Sequence, residues 1–211
     1  MDPRRGEVLR IFERYLVEIV EAYELCPWAR SARVGGELAV EVVWGKPSDD
    51  TWVSAAKSVL AAPKTRVAMV IAPELDAAPS ELRALRDRVA ARLPAAGVAE
   101  FHPAGVLDSA TPARLVPFLR RSPDPLLQLV PFAVLDAVRA PQLVADRAQQ
   151  AQILVGGGEP PKPAVADRIA AANHARVAPS LPELTARLDA IAADRDTSYA
   201  RVGVSTRLRR R

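Results

Sequence analysis

The sequence predicts an α/β protein: a small, mainly parallel sheet laid down in β-α-β-α-β order, preceded by an N-terminal helix and followed by a helical C-terminal third. Three observations carry this. Between residues 38 and 102, short apolar runs alternate with stretches whose apolar residues recur every three or four positions. Beyond Pro103, prolines punctuate Ala- and Leu-rich segments. Over 211 residues, 49% are hydrophobic and 26% charged, enough to bury a core without covalent staples.

The N-terminal helix is expected over residues 7–24. There Val8, Ile11, Phe12, Tyr15, Leu16, Ile19, Val20 and Tyr23 form an apolar stripe with charged residues between. A β-branched run over 38–44 is closed by Gly45 and Pro47. A helix over 51–61 follows, capped by Asp49 or Asp50 and ended by Pro63. The continuous apolar run over 66–72 suits a strand buried on both faces. Residues 80–93 read as a helix and 97–102 as a third strand, an order that fits parallel strands joined by helical crossovers. The later helices are expected over 125–138, 141–154, 163–176 and 182–194.

The predicted organisation is an α/β core over 1–155 that carries any site, a Gly/Pro linker over 156–163, a helical appendage over 164–196 and a flexible basic tail over 197–211. The linker, Gly156-Gly157-Gly158-Glu159-Pro160-Pro161-Lys162-Pro163, lacks the Lys-Ser/Thr continuation of a phosphate loop and does not join a strand to a helix.

Composition narrows the function classes. Cys26 is the single cysteine, which excludes an intrachain disulfide and a four-cysteine zinc or iron–sulfur site. The 25 arginines are scattered; only Arg207, Arg209, Arg210 and Arg211 cluster densely, and they account for the net charge of +4. Nucleic acid is therefore not the expected partner. No apolar run approaches the ~20 residues of a membrane span and no signal-peptide pattern opens the chain, so a cytoplasmic protein without membrane contact is expected.

Three segments hold residue types that plain packing rarely selects. In Leu25-Cys26-Pro27-Trp28-Ala29-Arg30, Pro27 suits the first position of a helix, which makes Cys26 its N-cap. A thiol there faces unpaired N–H groups and is expected to have a lowered pKa. The competing reading is a small buried apolar residue. Glu100-Phe101-His102-Pro103 ends the third strand, where α/β sheets bind ligands, and His102 could serve as general base, proton shuttle or metal ligand. The competing reading is a histidine held by backbone groups. In Arg120-Arg121-Ser122-Pro123-Asp124-Pro125, two prolines stiffen a loop whose arginines, with Ser122 as an N-cap, suit an anion. Here the alternative is a structural ion pair of the arginines with Glu41 or Asp108.

Taken in order, Leu-Cys-Pro-aromatic-Ala, Phe-His-Pro and Arg-Ser-Pro-x-Pro resemble the bacterial family catalogued as domain of unknown function 1415, over roughly residues 7–155. Cys26, Pro27, His102, Pro103, Arg121, Ser122, Pro123 and Pro125 match its motifs. Asp124 stands where the family tends to an aromatic residue, Gln128 where it has a histidine, and Ala104 where an acidic residue is usual. The resemblance implies a site and names no reaction.

The function expected from these residues is an enzyme acting on a small anionic molecule by thiolate chemistry. Cys26 is the nucleophile or redox thiol, His102 its acid/base partner and Arg121 an anion anchor, with Arg120, Ser122, Arg30 and Glu41 as further substrate-binding residues. No metal site is assigned and no cofactor is identified. One alternative is a metal- or haem-binding protein with Cys26 and His102 as ligands, completed by Glu41, Glu100 or Asp108. Another is a non-catalytic assembly or cargo protein docking through its tail. A homodimer and a partner that grips the tail are the protein contacts the sequence accommodates.

Overall fold

The computed structural model describes residues 2–26, 28–134 and 165–205. Helix α1 (Pro3–Tyr15) is capped by the Asp2 side chain, which accepts from the Arg4 N–H, with proline in its first turn. It continues as a π-helical segment, Leu16–Glu21. Then follow α2 (Ala29–Val34), β1 (Leu38–Val42), α3 (Asp49–Leu60), β2 (Val67–Ile71), α4 (Pro79–Ala91), β3 (Ala96–Phe101), α5 (Pro112–Leu119) and β4 (Leu126–Pro131). After residues outside the described set come α6 (Val165–Val177), a short 3₁₀ turn (Ala178–Ser180) and α7 (Leu181–Val202). The expected helix over 141–154 and the linker over 156–163 fall outside the described residues.

The four strands order β1-β2-β4-β3. β1 and β2 pair in parallel, while β4 pairs antiparallel to β2 and to β3. The three expected strands therefore run in one direction, but β4 is inserted between the second and third against them. The mainly parallel sheet of the sequence reading is corrected to a mixed, mostly antiparallel one.

The physical reason lies in Leu126-Leu127-Gln128-Leu129-Val130, which was expected to open a helix. A short, near-continuous apolar run between prolines reads equally as a buried strand, and periodicity cannot separate the two. Placed centrally, it buries Leu126 and Leu129 almost completely. The cap of α3 is also corrected: Ser48, not Asp49 or Asp50, accepts from the Thr51 N–H.

The sheet separates two apolar layers. On β2, Val67, Met69 and Ile71 face one side, and Ala68 and Val70 the other. The second side is covered by α3 and α4 through Trp52, Val53, Ala56, Leu82, Leu85 and Val89. The first is covered by α1, α5 and the C-terminal helices, with Ile11, Phe12, Leu115, Phe118, Leu184, Leu188 and Ile191 in one cluster.

Helix α7 thus belongs to the same apolar cluster as α1. It also runs eight residues past the Asp194 expected to end it, as far as Val202, and Tyr199 and Val204 are buried. Gly203, at φ 73°, stops it in the left-handed conformation that glycine adopts freely, and the Val204 N–H returns to the Tyr199 carbonyl. The described part of the expected tail, 197–205, is accordingly packed chain. Among the described residues no helix is long and apolar enough to cross a membrane.

Candidate functional site

The segment carrying Cys26 is placed by an interruption in the first helix. After Tyr15 the hydrogen bonds lengthen by one residue, with the Ala22 N–H reaching the Val17 carbonyl at 3.2 Å and the Leu25 N–H the Val20 carbonyl at 2.9 Å. Such π segments recur at functional sites. Glu24 then adopts φ 48° and turns the chain, so Leu25 and Cys26 leave the helix axis and fold back beneath the sheet. Helix α6 secures this turn from outside: Asn173 Nδ2 donates to the Leu25 carbonyl at 3.2 Å and Arg176 to the Glu24 carbonyl at 2.8 Å.

Cys26 lines a cavity of about 400 Å³ between the sheet and the helices on its first side. Its floor is Leu38, Val67, Met69, Leu126 and Gln128 from the strands. Its walls come from Phe12, Tyr15, Leu16 and Val20 of the first helix, Ala29 and Ala32 of α2, Val116 and Leu119 of α5, and Ile169 of α6. Phe101 and Arg120 stand at the β3 edge. The surface is overwhelmingly apolar, and the polar side chains along it are Tyr15, Cys26, Trp28, Arg120, Gln128 and Asn173. This is the lining of a site for a small organic molecule.

Tyr15 is 2% exposed, and among the described residues its hydroxyl has no hydrogen-bond partner. Burial pushes its pKa well up, and the nearby Cys26 adds to the rise whenever the thiol ionises. A buried donor without a partner costs about 1–3 kcal/mol, so its presence at a cavity wall is an observation to be explained.

The Cys26 thiol is not the activated group expected. Helix α2 begins at Ala29 with Trp28 as its N-cap, so Cys26 lies before the cap position. Burial raises its pKa, and the backbone N–H groups of Trp28 and Ala29 offset this only in part. The expected dipole effect is present but desolvation exceeds it.

His102 is held by the backbone. Its Nε2–H donates to the Ala77 carbonyl at 2.8 Å, and its Nδ1 accepts from the Ala104 N–H at 3.0 Å. Both ring nitrogens are engaged, burial lowers its pKa, and it is absent from the wall of the Cys26 cavity. It pins the loop after β3, where Gly105 approaches so closely that an added Cβ would lie 2.3 Å from the Pro117 carbonyl oxygen. The other histidine, His174, donates to the Ser109 carbonyl at 3.0 Å.

Arg121 and Ser122 line a different cavity, of about 230 Å³, with Pro103, Gly105, Leu188 and Ile191. Tyr15 is common to both cavities. Arg121 pairs with Asp189 of α7 at 2.6 Å, rather than with Glu41 or Asp108, and Asp108 pairs with Arg114. Ser122 caps no helix, because a strand follows it; its hydroxyl donates to the Asp124 carbonyl at 2.6 Å. Glu41 sits on edge strand β1 and Arg30 is exposed on α2; neither lines either cavity. Of the expected set, then, Cys26 and Arg120 share one cavity, Arg121 and Ser122 share another, and His102, Arg30 and Glu41 stand apart from both.

Asp124 appeared in the sequence as a departure from a motif, and it centres a buried polar cluster. Arg195 of α7 donates Nε to its carboxylate at 2.6 Å, and the Tyr199 hydroxyl donates to the other oxygen at 2.6 Å. Arg195 also donates to the Pro73 carbonyl at 2.9 Å, and its guanidinium lies 4.5 Å from the centre of the Tyr199 ring. Burial pushes the Asp124 carboxyl up against the pull of Arg195 and Tyr199; burial alone would lower Arg195, but Asp124 outweighs it and holds the guanidinium charged. The partners lie 71 and 75 residues apart in the chain, and nothing local in the sequence signals the cluster.

Among the described residues no group of three or more His, Cys, Asp or Glu side chains is arranged to hold a metal ion. No family model, no curated protein and no solved structure matches this chain.

Proposed function

We propose that this protein binds a small, largely apolar organic molecule in the cavity beneath the sheet, with the Cys26 thiol in its wall. The observation that carries the reading is the coincidence of a cavity of about 400 Å³ with a buried Tyr15 hydroxyl, without a partner among the described residues, beside a half-buried cysteine. Binding is favoured over thiolate catalysis for two reasons: desolvation keeps Cys26 protonated near neutral pH, and His102 has both nitrogens committed to the backbone. Of the residues matched to the three motifs, Cys26 alone among those described lines this cavity, so the reading rests on the cavity itself.

The test is uptake of an uncharged apolar fluorophore, N-phenyl-1-naphthylamine, by the full chain, together with maleimide labelling of Cys26. Saturable uptake of one fluorophore per chain is expected, with Cys26 labelled more slowly when the fluorophore is bound. Labelling in the free protein should accelerate only above the ordinary thiol range. Absence of saturable uptake, or uptake that leaves the labelling rate unchanged, overturns the reading.

A further inference from the structure

At one rim of the cavity, β3 is the edge of the sheet, and successive residues on it face opposite ways. Phe101 faces the cavity, while Glu100 faces α4 and meets Arg83 and Arg86, each at 3.5 Å. Arg120, at the end of α5, reaches over this edge. Its guanidinium lies 5.9 Å from the centre of the Phe101 ring and 3.8 Å from the Glu100 carboxylate. That last separation is too long for a hydrogen bond.

The local charge does not balance. Arg83, Arg86 and Arg120 surround Glu100, and among the ion pairs of the described residues one further carboxylate joins the group, Asp87, which pairs with Arg86 at 3.0 Å. Three guanidiniums thus face two carboxylates. Of the three, Arg120 has the longest separation from Glu100, 3.8 Å against 3.5 Å, and it alone lines the cavity.

Resting on the cavity reading above, we propose that the natural ligand is an amphipathic acid whose apolar body fills the cavity and whose carboxylate is bound by Arg120 at the β3 rim. A guanidinium is suited to this because it offers paired N–H donors to a carboxylate and remains charged at any physiological pH. Stacking on Phe101 keeps the side chain extended along the rim, and releasing the long contact to Glu100 leaves that carboxylate still paired with Arg83 and Arg86. An apolar cavity with one cation at its rim selects ligands by both ends: the body contributes affinity by burial, and the head group fixes orientation.

The test compares decanoate with decanol as competitors of bound N-phenyl-1-naphthylamine at neutral pH, where the carboxylate is ionised. Decanoate is expected to displace the fluorophore at about tenfold lower concentration than decanol, the advantage of a charge-assisted hydrogen bond. Arg120→Gln should remove this preference, whereas Arg83→Gln, which alters the same ion-pair group away from the cavity, should leave it intact. Equal displacement by acid and alcohol overturns the head-group assignment while the cavity reading stands. Failure of the fluorophore itself to bind removes the cavity reading, and the assignment with it. If Arg120→Gln does not fold, the native protein decides by salt titration: the decanoate preference must shrink as salt rises, and a preference insensitive to salt overturns the role of Arg120.

Discussion

Two of the molecule's buried tyrosine hydroxyls lie in opposite circumstances. Tyr199 sits in a cluster where its hydroxyl donates to Asp124, which in turn takes Arg195 and lies beside a hydroxyl-to-carbonyl bond from Ser122. Tyr15 sits on the wall of two cavities with its hydroxyl unpaired among the described residues. Both residues are nearly inaccessible, at 0% and 2%. The first cluster ties α7 to the loop before β4 and to the turn after β2, and it works as structure. The second belongs to a surface whose polar groups are not balanced within the described chain. Paired polar burial at Tyr199 ties α7 to the fold; of the buried polar atoms left unpaired among the described residues, which also include the Tyr23 hydroxyl and Trp52 Nε1, the Tyr15 hydroxyl is the one whose residue lines a cavity.

The strongest way to break the comparison is to unpair the first region. Arg195→Met leaves the Asp124 carboxylate buried with only Tyr199 against it and frees the Pro73 carbonyl. A loss of about 3–5 kcal/mol is expected in urea unfolding. Replacing Tyr199 by Phe removes one hydrogen bond to a charged acceptor and should cost about 1.5–3 kcal/mol. If both variants unfold within 0.5 kcal/mol of the native protein, roughly the level of a surface substitution, the cluster is not what anchors α7.

A smaller effect separates buried from exposed pairing on the same helix. Asp194 neighbours Arg195 but faces outward, where Arg10 grips it through two hydrogen bonds of 2.9 Å and Arg14 through one of 2.8 Å. Arg10 first, then Arg14, holds its carboxyl down at about 2. A carboxyl depressed in the folded state stabilises above its unfolded pKa of about 3.9 and loses that contribution as pH falls toward 2. After allowance for solvent screening, Asp194→Asn should cost about 1 kcal/mol at neutral pH. The difference from the native protein should shrink steadily as unfolding is measured from about pH 5 down through pH 2. A difference constant across that range would mean that the residue acts through packing.

How far these regions were legible in the sequence follows from the range of their interactions. The β-α-β-α-β order depends on periodicities within ten to fifteen residues, and the three strands and their helices lie within a residue or two of the expected bounds. β4 was misread because its neighbours, not its pattern, decide between strand and helix; only insertion between β2 and β3 buries Leu126 and Leu129 from both faces. The end of α7 was placed too early for a related reason. Arg195 looks like a solvent-facing residue until Asp124, 71 positions earlier, is seen to meet it. In the candidate site, Cys26 was singled out by its rarity and does reach a cavity, whereas His102 was singled out on the same ground and turned to the backbone. Tyr15 gave no signal at all, since its place in an amphipathic stripe is that of any core aromatic; what sets it apart is a missing partner, which no sequence displays.

The smallest expected effect is therefore the most discriminating. Tyr15→Phe deletes the same atom as the change at Tyr199, from a residue about as buried, but from a hydroxyl without a hydrogen-bond partner among the described residues. Stability should be unchanged or rise by up to about 1 kcal/mol, because the cost of desolvating the hydroxyl disappears and no bond is lost. Since that hydroxyl is buried, uptake of an uncharged fluorophore should persist in the variant. Urea unfolding of the two phenylalanine variants side by side, each in the full chain, reads the contrast directly: a loss at position 199 and none at 15. Should Tyr15→Phe lose more than 1 kcal/mol, the hydroxyl has a partner that holds the fold, the two regions are alike, and the distinction between structural and ligand-facing polar burial fails for this protein.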